Sequence, residues 1–136
     1  MDNDDDFDAS SDATNGVGHA ELDQQHELLR KSFERFVDMA LDAKQRDGAV
    51  ASLRELLVQV GLHFGFEESL MTKSGYPEFD HHLRQHLSMM TELGLLLDRL
   101  EDSTDQGVVR QIDFVVDWYQ RHVDFSDRKF AIWLGR

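Results

Sequence analysis

The feature that most constrains the fold is an apolar period of three or four residues that begins near His19 and continues to the end of the chain. This is the spacing of the buried face of an amphipathic helix, and no alternation typical of a strand competes with it. The pattern predicts a first helix that ends near residues 46–48 and a second that begins at about Ala49. Ser74-Gly75-Tyr76-Pro77 then separates the second helix from the third, because glycine suits a helix C-terminus and proline suits a first turn.

The third connection falls at Ser103-Thr104-Asp105, whose side-chain oxygens can cap the start of a fourth helix. We expect that helix to end near Ala131. Four helices of roughly 24–28 residues joined by short connections predict an all-α, up-down-up-down antiparallel four-helix bundle over residues 17–136.

The charge and the cysteine content exclude several classes of function. A net charge of −13 argues against nucleic acid and against contact with anionic membranes, because both recruit basic patches. The chain has no cysteine, which excludes iron–sulfur clusters, cysteine-ligated zinc and thiol catalysis. No signal peptide or membrane-spanning apolar run is visible, and a reduced, cytoplasmic setting is expected.

Residues 1–16 differ from the rest of the chain. They carry six aspartates and no lysine or arginine, among serine and asparagine. Such a composition cannot bury enough apolar surface to order itself, so we predict a disordered acidic N-terminal arm, either a tail or a linker.

Histidines and carboxylates fall on or beside the apolar stripes at spacings suited to a metal site. The chain has seven histidines, and five of them belong to this pattern. Imidazole with carboxylate and no thiolate is the donor set expected for non-haem iron or a similar divalent metal. The candidate ligands are His26, then His63 and Glu67, then His82 and His86, and finally His122 and Asp127.

All seven candidate ligands are expected at one depth in the bundle. With a rise of about 1.5 Å per residue and alternating helix directions, each lies roughly 6–15 Å from the same end. Unpaired carboxylates and imidazoles in a bundle core would cost free energy of folding. The positive charge of two divalent cations would balance the negative charge of Glu67, Asp127 and one hydroxide. The sequence therefore predicts a two-metal site.

His122 and Asp127 are the exception to the helical spacing. They are five positions apart, which is about 140° around an ideal helix rather than one face. We therefore predict that the fourth helix widens locally there, through a π-bulge of the type found at functional sites.

These residues also carry a resemblance to a known family. The segment from Gly16-Val17-Gly18 through Leu22-Asp23-Gln24-Gln25-His26 resembles the opening motif of bacterial hemerythrins. The resemblance covers about residues 16–131 and fills every ligand position. The other similar blocks are His63-Phe64-x-x-Glu67-Glu68-x-x-Met71, Tyr76-Pro77 with His82-x-x-x-His86, and Trp118-x-x-x-His122-Val123-x-x-x-Asp127.

The resemblance implies a di-iron site bridged by Glu67, Asp127 and a solvent-derived oxo or hydroxo group. One iron would be held by three histidines and be coordinatively full, and the other by two histidines with one open position. Dioxygen would bind reversibly at the open iron and be held as hydroperoxide. By the family's pattern, the three-histidine set is His82, His86 and His122, and the two-histidine set is His26 and His63.

The family's oxygen pocket falls on Leu29, Phe64, Trp118 and Val123 in this sequence. The implied function is an oxygen carrier, a store, or an oxygen or redox sensor domain that acts on a signalling partner. No enzymatic activity is expected, because five histidines and two carboxylates favour reversible oxygen binding over O–O cleavage.

Other interpretations of the same residues remain open. A redox enzyme that reduces peroxide or nitric oxide, or that donates iron for cluster repair, is the alternative function, and a structural zinc bundle is a third. His19 and His81 are interpreted as non-ligands, and Glu68 as a surface neighbour. Glu78-x-x-His81 matches the ExxH unit of ferritin-like proteins, but those need two such units.

The first prediction concerns Val123, because this position more often carries a larger aliphatic residue in the family. Valine implies a wider pocket, faster oxygen exchange and faster oxidation to the inactive diferric form. We expect Val123→Ile to slow autoxidation of the iron-loaded protein in stopped-flow measurements. An unchanged or faster rate would show that residue 123 does not set the pocket width.

Overall fold

The structure, a computed structural model, describes residues 16–102 and 106–136, so nearly all of the predicted acidic arm and the predicted cap at 103–105 lie outside it. The described residues form helices and no strand, which confirms the predicted all-α bundle. None of these helices combines the length and the apolar character needed to cross a membrane. The helices are α1 (Ala20–Ala40), α2 (Arg46–Ser74), α3 (Phe79–Asp102), α4 (Gln106–Arg121) and α5 (Arg128–Leu134), with a π-helical segment, His122–Asp127, that joins α4 to α5.

The boundary between the first two helices lies earlier than predicted. Helix α1 ends at Ala40 rather than near residues 46–48. The reason is Asp42, whose carboxylate accepts a hydrogen bond from the backbone N–H of Lys44 at 2.9 Å and so starts a new turn. A short 3₁₀ turn then leads directly into α2, which begins at Arg46.

The helix ends nearest the site have identifiable caps. His19, which is not among the candidate ligands, accepts a hydrogen bond at Nδ1 from the backbone N–H of Leu22 and caps the start of α1. Gly75 ends α2 in the left-handed conformation, with φ of 73°. The next N–H, that of Tyr76, donates to the carbonyl of Met71 at 3.0 Å. This confirms the predicted role of glycine at the helix C-terminus.

Two apolar clusters fill the bundle, and the candidate ligands lie between them. On α1, for example, His26 lies between Leu22 of one cluster and Leu29 of the other. The main cluster includes Leu29, Phe33, Leu53, Leu56, Val60, Phe64, Met89, Leu93, Leu96, Ile112, Val115 and Tyr119. The end cluster is Val17, Leu22, Met71, Tyr76, Phe130 and Ala131.

This arrangement shields the polar layer on both sides. On α2, His63 and Glu67 follow Val60 and precede Met71, so the chain passes from one cluster to the other across them. Burial of both clusters stabilises the bundle by the hydrophobic effect and also keeps bulk water away from the layer.

The second prediction uses the left-handed glycine. We expect Gly75→Ala to lower the free energy of unfolding by about 1 kcal/mol, because a Cβ at positive φ meets its own backbone. Urea unfolding at fixed metal content would measure the change.

Gly94→Ala is the matched control, because Gly94 lies inside α3 and a Cβ there would meet no heavy atom within 4 Å. It should raise the free energy of unfolding by roughly 0.5–1 kcal/mol through helix propensity. Equal effects of the two substitutions would contradict the assigned role of Gly75.

Candidate metal centre

The structure brings all seven candidate ligands together in one buried layer. Two groups of donor atoms form there, and in each group the ligand atoms all lie within 4.8 Å of one another. Both groups contain Glu67 and Asp127, which have no exposed surface. The first group, called the three-histidine side, adds His82, His86 and His122; the second, called the two-histidine side, adds His26 and His63.

The two carboxylates divide their oxygens between the two sides. On the three-histidine side, Glu67 Oε1 lies 3.1 Å from His86 Nε2, and Asp127 Oδ1 lies 3.0 Å from His82 Nε2. On the two-histidine side, Glu67 Oε2 lies 3.4 Å from His63 Nε2. Asp127 Oδ2 lies 2.9 Å from His26 Nε2. Each carboxylate therefore presents one oxygen to each side, as a ligand that bridges two cations does.

The π-helical segment confirms the predicted widening of the fourth helix. It begins at His122 and ends at Asp127. Because the wider turn compensates for the spacing of five residues, His122 Nε2 and Asp127 Oδ1 come to lie 3.1 Å apart. Arg128 supports this turn by donating to the carbonyl of Asp124 at 3.2 Å and to that of Gly16 at 3.1 Å.

Most of the donor atoms lack ordinary hydrogen bonds. Within the part of the chain that the structure describes, no hydrogen-bond partner with suitable geometry meets Nε2 of His26, His63, His86 or His122, or either oxygen of Asp127. Buried polar atoms are normally paired, and one left unpaired costs free energy. Metal-ligand atoms that converge while most of them lack a hydrogen bond fit a site built around cations, so the residues suit the metals that the sequence predicts.

The ionisation of these side chains in the absence of metal also indicates a site for cations. Burial lowers the pKa of His26 and of His82, but the nearby carboxylates of Asp127 and Glu67 outweigh it and raise each pKa to about 9. Burial raises the pKa of Glu67, yet its histidine neighbours hold that pKa well below its ordinary value. The carboxylates are therefore ionised and attract positive charge, which protons supply when cations do not.

Two side chains outside the ligand set orient the imidazoles. His63 donates from Nδ1 to Gln25 Oε1 at 2.7 Å, and His86 donates from Nδ1 to Glu68 Oε2 at 2.8 Å. Each bond fixes the tautomer, so the Nε2 lone pair points at the carboxylates. Glu68 is thus more than the surface neighbour expected from the sequence: its side chain is 29% exposed. The sequence signals for these two residues were that Glu68 follows Glu67, that Gln25 precedes His26, and that both lie in the motif blocks quoted above.

The predicted pocket residues divide between the two sides. Phe64 stacks on His86, with ring centroids 3.7 Å apart, and Trp118 stacks on His122 at 5.0 Å. Both rings therefore cover imidazoles of the three-histidine side, and Phe64 also lies beside His63, with ring centroids 6.0 Å apart. Leu29 and Val123 instead line cavities beside the two-histidine side.

Two cavities reach the two-histidine side. One, of about 410 Å³, lies between α1 and α2 and is lined by Gln25, Leu29 and His63 among others. The other, of about 570 Å³ and here called the His26 cavity, lies between α1 and α4; Tyr119 and Val123 line it, and the exposed Arg30 lies at its rim. Tyr119 is absent from the predicted pocket. His81 is exposed and outside both donor groups.

Comparisons with known proteins point to one family. The model of the hemerythrin HHE cation binding domain matches residues 17–134. A bacteriohemerythrin from Campylobacter jejuni is 36% identical over 75 residues, which cover 53% of this chain and 54% of that protein, so this match spans about half its length. A hemerythrin-like protein from Naegleria gruberi is 30% identical over 114 residues, 84% of this chain and 83% of that protein. A bacteriohemerythrin from Ralstonia nicotianae is 23% identical over 120 residues, 88% of this chain and 84% of that protein. No solved structure matches the chain significantly.

The third prediction concerns Glu68. We expect Glu68→Ala to weaken divalent metal binding by about 10- to 100-fold, because the His86 ring loses the partner that fixes its tautomer. Titration of the metal-free protein in competition with a chelator would measure this loss.

Glu55→Ala serves as the control, because Glu55 lies exposed on the same helix and its loss changes the net charge equally. Its metal affinity should match that of the unsubstituted protein. A similar loss in both variants would mean that overall charge, not the hydrogen bond to His86, is responsible.

Proposed function

Because this chain belongs to the hemerythrin family, we propose that it is a non-haem di-iron protein that binds dioxygen reversibly. The observation that carries this proposal is the pair of donor groups that share Glu67 and Asp127. Its biological role would be that of a carrier, a store or an oxygen or redox sensor. Bound ferrous iron would supply the electrons needed for reversible binding of dioxygen; the protein supplies position, shielding and access.

The donor set favours iron. Five imidazoles and two carboxylates without thiolate suit a metal of intermediate softness, such as non-haem iron. Ferritin-like di-iron sites use four glutamates and two histidines. The lower carboxylate content here stabilises the higher oxidation states of iron less strongly, which favours reversible binding over O–O cleavage.

The two sides differ in how much room they leave. The three-histidine side has five protein residues as donors and the two-histidine side has four, including the two shared carboxylates. Phe64 and Trp118 stack on imidazoles of the three-histidine side and leave no open approach along those ring faces. A cavity of about 130 Å³ lies beside His82, but the cavities beside His63 and His26 are larger, about 410 and 570 Å³. We therefore assign the position for an outside ligand to the side of His26 and His63.

The size of the His26 cavity favours a second candidate function. A space of about 570 Å³ admits molecules larger than dioxygen. A redox enzyme that reduces peroxide or nitric oxide, or a protein that releases iron for cluster repair, would use such access. Turnover with an added reductase would distinguish these functions, since a carrier returns oxygen unchanged.

Partner and location follow as further parts of the proposal. The net charge of −13 supports a protein that binds neither nucleic acid nor an anionic membrane. We propose a cytoplasmic setting, which a chain without cysteine fits. In the sensor version, the acidic N-terminal segment links the domain to a signalling partner.

The fourth prediction tests oxygen binding itself. Iron-loaded protein, reduced without oxygen and then exposed to air, should develop visible absorption bands that disappear under vacuum. The reason is that an open position on the two-histidine side lets oxygen bind and leave without consuming the site.

Two other spectra would contradict the proposal in different ways. Direct conversion by air to the oxidised, oxo-bridged spectrum, with no oxygenated species even by stopped flow, would favour redox sensing or catalysis. A protein that retains zinc, stays colourless and does not respond to oxygen would indicate a structural metal bundle.

A further inference from the structure

The Tyr119 hydroxyl is a buried polar group that the ligand set does not explain. Tyr119 is 6% exposed, and its hydroxyl has no hydrogen-bond partner among the residues that the structure describes. Nearly all other buried, unpaired side-chain atoms in the same part of the chain belong to candidate metal ligands. Burial of a hydroxyl without a partner costs free energy that a phenylalanine would not cost.

The packing around Tyr119 holds the ring in place. The ring stacks on Phe33 of α1, with centroids 4.7 Å apart and planes at 26°. Tyr119 also lies three residues before His122, one helical turn from the π-helical segment. The hydroxyl is therefore fixed by the contact between α1 and α4 rather than free to turn toward solvent.

The position of Tyr119 relates it to the two-histidine side. It lines the His26 cavity together with His26 and Val123. Burial raises the pKa of Tyr119 well above its ordinary value, and the negative charges of Asp127 and Glu67 raise it further. The hydroxyl therefore keeps its proton at every physiological pH and can act as a hydrogen-bond donor.

We propose that the Tyr119 hydroxyl donates a hydrogen bond to the small ligand held in the His26 cavity, dioxygen or a triatomic anion such as azide. This inference rests on the proposed function, because it assumes that the ligand site lies on the two-histidine side. Tyr119 then determines which small ligands bind: it favours those that place a hydrogen-bond acceptor atom near its hydroxyl, between α1 and α4.

The fifth prediction uses azide as the probe of that hydrogen bond. In the oxidised, iron-loaded protein, Tyr119→Phe should weaken azide binding about tenfold, because one hydrogen bond to an anion is lost. The azide stretching frequency of the unsubstituted protein should shift when the solvent is changed from H₂O to D₂O. That shift should be absent from Tyr119→Phe.

Tyr76→Phe is the matched control. The chain has two tyrosines, and Tyr76 is equally buried, at 6% exposed, but belongs to the end cluster and does not line the His26 cavity. Its azide affinity should equal that of the unsubstituted protein.

Stability without metal separates a ligand contact from a structural role. Because the hydroxyl has no partner, Tyr119→Phe should leave the urea unfolding midpoint of the metal-free protein unchanged or raise it. A lower midpoint together with unchanged azide affinity would show that the hydroxyl serves the fold alone, and would overturn the inference.

The remaining outcomes distinguish this inference from the proposed function. If the unsubstituted protein binds oxygen reversibly and binds azide, while Tyr119→Phe binds azide equally well, the role of Tyr119 is wrong and the oxygen-binding function stands. If the iron-loaded, unsubstituted protein binds neither oxygen nor azide, both proposals are overturned.

Discussion

The structure depends on two carboxylates, those of Glu67 and Asp127, that are fully buried in the middle of an apolar bundle. Ionised carboxylates in such a place cost several kcal/mol each unless positive charge compensates them. The apolar clusters on either side of the layer exclude the water that would otherwise do so. The raised pKa of His26 and of His82 shows the same demand for positive charge, because both rings favour the protonated form beside these carboxylates in the absence of a cation. A buried layer of this composition is stable when cations occupy it and would destabilise the bundle as an ordinary core.

The fourth helix departs from regular α-helical geometry where it contributes ligands to that layer. An unbroken α-helix would place His122 and Asp127 about 140° apart, and one of them would point away from the site. The π-helical turn removes this conflict and brings the two side chains within 3.1 Å. It also keeps Tyr119 in the main cluster and Phe130 in the end cluster, so the widening does not disturb the packing on either side. The irregularity is thus confined to the six residues His122–Asp127, the first and last of which are candidate ligands.

The sequence predicted the bundle and the convergence of the donors because both follow from periodicity. Helical spacing places His63 beside Glu67 whatever the details of packing, and the five-residue spacing of His122 and Asp127 indicated the π-helical turn. What it did not predict has two causes: one local cap and the contacts between helices. The early end of α1 follows from a local cap at Asp42. The hydrogen bonds that His63 donates to Gln25 and His86 donates to Glu68 depend on how neighbouring helices face each other, which one sequence does not reveal.

The pocket shows most clearly why residue types and sequence positions are not enough. Phe64 and Trp118 lie beside ligands in the sequence. In the structure Trp118 stacks on His122, and Phe64 stacks on His86 while its centroid lies 6.0 Å from that of His63. The space left beside His26 is bounded by Val123 and by Tyr119, a residue that helical periodicity identifies only as part of the apolar stripe. Stacked rings therefore cover two imidazoles of the three-histidine side, which has a cavity of about 130 Å³ beside His82, whereas a larger cavity lies beside His26 between α1 and α4. Under the proposal for Tyr119, ligand selection at this centre depends on the contact between α1 and α4 as much as on the metal-binding residues.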